Sequence, residues 1–116
     1  MIAFKIISGA DWAAFQAAGV YGGSAVDRAD GYIHMSTADQ AAETARKHYA
    51  GQDDLVLLTI DLASLGDTLR WEPSRGGDLF PHQYGDLPLA TVTAAQGFSV
   101  DTAGGLTFEG EAPAWA

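Results

Sequence analysis

The chain has 116 residues, a hydrophobic fraction of 47% and a formal net charge of −9, from 15 acids and 6 bases. That length supports one domain with a single core, and that hydrophobic content argues against disorder. The acidity disfavours nonspecific binding to nucleic acid or anionic lipid, and the lack of cysteine excludes disulfides, thiolate catalysis and Cys-based metal sites. No apolar run approaches the roughly 20 residues needed to span a bilayer. The opening Met-Ile-Ala-Phe-Lys-Ile-Ile is too short and too strand-like for a signal peptide, so the expected partners exclude a membrane and the expected compartment is the cytoplasm.

Residues 2–7 alternate and favour β-branched and aromatic types, which predicts a first strand. Ser8 is placed to cap a helix over residues 10–18, with Trp12 and Phe15 on one face and Gly19 as its stop. A turn or short extended piece follows at 20–23, and Ser24 caps a short helical turn through Ala29. A second strand is expected over 31–35 and the clearest helix over 37–50, where Ala38, Ala41, Ala42, Ala45 and Tyr49 mark one apolar face. Residues 55–60 are nearly all apolar, which predicts a central strand covered on both faces. A helical turn at 62–65 and strands at 69–72 and 90–96 complete the main pattern. The pieces 98–100 and 106–108 read as a hairpin or a loose end, and residues 112–116 are expected to fray. Strands around two main helices predict an α+β domain with a mixed, mostly antiparallel sheet.

Two stretches concentrate the chemistry. The first, Gly31-Tyr-Ile-His-Met-Ser-Thr37, places His34 where a strand stops and a helix starts, with Ser36 and Thr37 beside it. A hydroxyl near an imidazole and a helix N-terminus supplies donors for an anion or a sugar. The second stretch, residues 71–85, reads as a long polar and aromatic loop, a length that in small domains usually signals function. Within it, Arg75 suits a phosphate, Trp71, Phe80 and Tyr84 suit stacking on a flat ring, and His82 suits a sugar or phosphate oxygen. Glu72 is the best-placed acid. His34, His82 and one carboxylate would suffice for zinc, yet no tight histidine spacing supports a metal, and none is assigned. His48 reads as a charge partner at a helix C-terminus.

Residues 24–37 and 71–89, with Gln52-Asp-Asp-Leu-Val-Leu-Leu58 between them, resemble the family catalogued as domain of unknown function 952. The resemblance reaches to about residue 93 and implies a fold similar to ADP-ribosyltransferases and the related RNA 2′-phosphotransferases. In those enzymes a strand-borne histidine followed by a small hydroxyl residue contacts the ribose of NAD, which His34 and Ser36 match. No segment reproduces their loop with its catalytic glutamate, so the resemblance assigns Glu72 no role.

The expected function is therefore an ADP-ribosyltransferase-like or degenerate enzyme that binds NAD or a related nucleotide between His34 and the 71–85 segment. His34 and Glu72 are the catalytic candidates; Ser36, Thr37, Trp71, Arg75, His82 and Tyr84 are the ligand-binding ones. The alternatives are a non-catalytic module for a small phosphorylated metabolite and a structural, partner-binding domain.

Overall fold

The computed structural model describes residues 1–116 apart from the side chain of Arg75. The chain runs β1 (Ile2–Ser8), α1 (Gly9–Ala18), β2 (Val20–Tyr21), α2 (Ala25–Asp30), β3 (Ile33–His34), α3 (Ala38–Tyr49) and β4 (Leu55–Asp61). It continues through β5 (Leu69–Pro73), β6 (Leu79–Gln83), β7 (Leu87–Pro88), β8 (Val92–Val100) and β9 (Leu106–Phe108). Three sheets result, ordered β1-β4-β8-β9, β2-β7 and β3-β6-β5, and every pairing among them is antiparallel. This is the expected α+β class. Among the described residues no helix is long and apolar enough to cross a membrane.

The helix ends follow from local chemistry. Ser8 Oγ accepts the Asp11 amide at 3.0 Å, and Gly19 closes α1 in the left-handed conformation at φ 77°. Ser24 and Asp27 form a reciprocal capping box at the start of α2. The Thr37 amide donates to Gln40 Oε1 at 3.0 Å to open α3. Arg46, Lys47 and His48 stand in the last turn of α3, where the helix dipole favours cations.

β4 is internal, and both of its faces are covered as expected. Leu58 and Ile60, each 0% exposed, pack with Ala3, Ile7, Phe15, Tyr21 and Ile33. Leu55 and Leu57 face the other way, onto Phe4, Ile6, Ala41, Ala45, Phe98 and Val100. A one-residue alternation thus feeds two apolar clusters from one strand.

The structure departs from the sequence reading in three places. Residues 71–85 are not one long loop: β5 and β6 pair as a hairpin, with Arg70 opposite His82 and Glu72 opposite Phe80. β8 does not stop at 96 but runs on to Val100, and its last three residues pair with β9 in a hairpin, one of the two expectations for the tail. Trp115 does not fray, because its ring packs 5.4 Å from Phe4 and 6.0 Å from Phe108. Cross-strand partners order the two hairpins, and Phe4, distant in sequence, helps to seat Trp115.

One small feature positions the site. Phe4 and Ser36 exchange both backbone hydrogen bonds, at 2.7 and 2.9 Å. That bridge draws the end of β3 against β1 and brings His34 close to Lys5.

Candidate functional site

Asp27 is the centre of a buried polar cluster. Its side chain is 2% exposed, and Lys5 Nζ donates to it at 2.9 and 3.2 Å. The Ser24 amide donates to Asp27 Oδ2 at 2.9 Å, and the His34 amide to Oδ1 at 3.1 Å. His34 Nδ1 lies 2.6 Å from the same Oδ1. Burial alone would raise the Asp27 pKa, but the hydrogen bonds from His34 and Lys5 and from the Ser24 amide outweigh it. They hold the carboxyl well below the usual carboxylate range. Burial also lowers the Lys5 ammonium, against the pull of Asp27. An ionised carboxylate only accepts, so Nδ1 of His34 carries the hydrogen and donates it. The ring's other nitrogen, Nε2, lies 2.9 Å from Asp30 Oδ2.

A second carboxylate–histidine pair sits on the hairpin. His82 faces His34 across the β3–β6 pairing, with ring centroids 5.6 Å apart. His82 Nδ1 lies 2.8 Å from Glu72 Oε1, which also accepts the Tyr84 hydroxyl at 2.7 Å. The Tyr84 bond, then the His82 bond, keep the Glu72 carboxyl below its ordinary value, and the Tyr84 hydroxyl is raised in return. Tyr32 stacks on His82 at 4.0 Å and 24°, Tyr84 leans on Tyr32 at 5.3 Å, and the Arg70 guanidinium lies 4.8 Å over the Tyr84 ring.

His34, Ser36, Phe80 and His82 line one cavity of about 570 Å³, together with Lys5, Asp27, Asp30, Thr44 and His48. Its floor is apolar, from Phe4, Ile6 and Ala41. Ser36 Oγ and Thr44 Oγ1 bond to each other at 2.9 Å. Other expected residues stand apart. Glu72 is not among the described lining residues and stands behind His82. Trp71 lies opposite Pro81 in the hairpin, so strand alternation turns it to the other face from Glu72 and His82. Thr37 caps α3, and Tyr84 belongs to the outer aromatic stack. The Arg75 side chain lies outside the described residues. Among those described, no group of three or more histidines and acids is arranged to hold a metal ion.

Sequence reasoning missed Lys5, Asp27, Asp30 and Tyr32. Two signals pointed to Asp27 and Lys5. Ser24 and Asp27 have capping-box spacing, and Lys5 interrupts the apolar alternation of β1 on the Ala3–Ile7 face. A lysine there needs a buried acid as partner.

No curated protein matches the chain. The crystal structure of protein CC0527 from Caulobacter crescentus is 46% identical, with a TM-score of 0.87 over 92% of this chain and 94% of that one. Its solution NMR structure is 48% identical, with a TM-score of 0.78 over 89% of each chain. The family model described as "Protein of unknown function (DUF952)" matches residues 6–95, and the chain belongs to that family.

Proposed function

We propose that the protein binds a ribose-bearing nucleotide of the NAD or ADP-ribose class in the His34 cavity. One observation carries the reading: the His34 ring is clamped through Nδ1 by a buried, ionised Asp27, on the wall of a cavity that Ser36 and His82 share. A histidine whose donor nitrogen is held this way presents a single oriented ring edge to a ligand. His34 orients the sugar, Ser36 adds a hydrogen bond, and His82, backed by Glu72, supports a phosphate oxygen. The resemblance of His34 and Ser36 to the ADP-ribosyltransferase pattern supports a ribose at this position. A volume of about 570 Å³ falls within the usual range for small-molecule sites.

Binding without transfer is the form of this function that the geometry favours. Stabilising an oxocarbenium requires a carboxylate facing the sugar carbon. Glu72 Oε1 instead serves His82 and Tyr84, Asp27 is bonded on every side, and Asp30, the exposed acid of the cavity, is set against the His34 ring at 2.9 Å.

Calorimetric titration of ADP-ribose and NAD tests the reading. The native protein should bind at least one of them, and His34→Ala should weaken binding at least about tenfold, or roughly 1.4 kcal/mol. Circular dichroism confirms the fold of the variant. Absence of binding to either ligand, or equal affinity in the variant, rejects the reading. Release of nicotinamide from NAD would replace binding by transfer.

A further inference from the structure

Both nitrogens of the His34 ring meet carboxylates, and the two carboxylates are not equivalent. Asp27 is 2% exposed and is bonded to Lys5, to the Ser24 amide and to the His34 amide as well as to the ring. It has no freedom to leave. Asp30 ends α2 and is 47% exposed, and its Oδ2 lies 2.9 Å from His34 Nε2. It lines the same cavity as His34. Asp30 therefore stands at the one ring nitrogen that an incoming ligand meets.

We propose that Asp30 is the specificity-determining residue of this site: it admits a ligand hydroxyl to His34 and excludes a phosphate or carboxylate from that position. The proposal deepens the nucleotide reading above, on which it rests for the ligand's identity. With its hydrogen on Nδ1, the neutral ring offers Nε2 as an acceptor beside the Asp30 carboxylate, so a ligand hydroxyl can donate to either. Two neighbouring hydroxyls on a sugar can divide the tasks. An anion brings its negative charge to the Asp30 carboxylate at contact distance, where the partly desolvated wall screens like charges poorly. Lys5 does not offset this, because both Asp27 oxygens already hold its ammonium. The phosphates of a nucleotide accordingly lie away from the Nε2 edge of His34, and the sugar lies against it.

Orthophosphate alone is the probe. Its binding is followed through the imidazole resonances of His34 in the native protein and in Asp30→Asn, with calorimetry on the double variant Asp30→Asn, His34→Ala. Asparagine is isosteric, and the amide spectrum confirms that the variant is folded. The native His34 ring should not respond to phosphate. Asp30→Asn should respond saturably, with affinity at least about tenfold higher, and the double variant should lose the gain. Equal phosphate affinity in the native protein and Asp30→Asn, or binding by neither, overturns the proposal. Titration of ADP-ribose into the native protein is read separately. Its failure would reject the nucleotide reading, while the phosphate comparison would still decide the role of Asp30.

Discussion

Leu57, Leu58 and Ile60 of β4 are buried in the four-stranded sheet against apolar neighbours on both faces, whereas the three-stranded sheet buries His82 and Gln83. His82 is held by Glu72, and Gln83 accepts the Thr68 hydroxyl and donates to the Asp86 carbonyl. Lys5 and Asp27 lie buried between the two regions and share their chemistry with the second. Apolar burial is non-directional, so its loss scales with the volume removed. Polar burial is conditional, because a donor or acceptor without its partner costs its whole desolvation. Substitutions in the first region should be graded. In the second, each should depend on what is left behind.

The largest effect is expected at Asp27. Asp27→Ala leaves the Lys5 ammonium buried without its acid and removes the acceptor of the His34 ring and amide. Urea unfolding should show a loss of about 3–5 kcal/mol. The double change Lys5→Met, Asp27→Leu should recover much of it, since no charge is then stranded. A double variant no better than the single one would assign the loss to packing and erase the contrast between the regions. Acid offers a second route to the same group. The folded pKa of Asp27 is depressed, so its stabilisation is fully present above the unfolded value of about 3.9 and disappears as pH falls below it. The native protein should accordingly lose stability below about pH 4 more steeply than Asp27→Ala.

Leu58→Ala probes the apolar region. Leu58 is 0% exposed on the central strand, and truncation should cost about 2–5 kcal/mol in the same measurement. A loss under about 1 kcal/mol would mean that the strand collapses onto the cavity or lies at an edge.

The smallest effect sharpens the rule. The Tyr21 hydroxyl is buried and has no hydrogen-bond partner among the described residues. Burial, followed by the nearby Asp27 charge, raises its pKa. Tyr21→Phe deletes an unsatisfied polar atom and keeps the ring that stacks on Phe15 at 5.4 Å. Thermal unfolding should place the variant within about 0.5 kcal/mol of the native protein or above it. A loss above about 1 kcal/mol would show that the hydroxyl has a partner.

The sequence by itself determined what depends on neighbours along the chain. The caps at Ser8 and Ser24, the stop at Gly19, the apolar face of α3 and the continuous apolar run of β4 are all legible, because helix ends and strand faces are set by residues a few positions apart. The place of His34 at the end of a strand and just before a helix was legible in the same way, from Ser36 and Thr37 beside it. Only the tertiary structure decided the rest. Residues 71–85 carry turn formers that read as a loop, and their order as a hairpin comes from cross-strand hydrogen bonds that leave no periodic mark. Trp115 gains its place from Phe108 and from Phe4, the latter at the other end of the chain. Lys5, Asp27 and His34 come together because the Phe4–Ser36 bridge sets β3 against β1 while the capping box aims Asp27 inward. Buried charges choose partners by distance in space, and sequence spacing does not encode that distance until the sheets have closed.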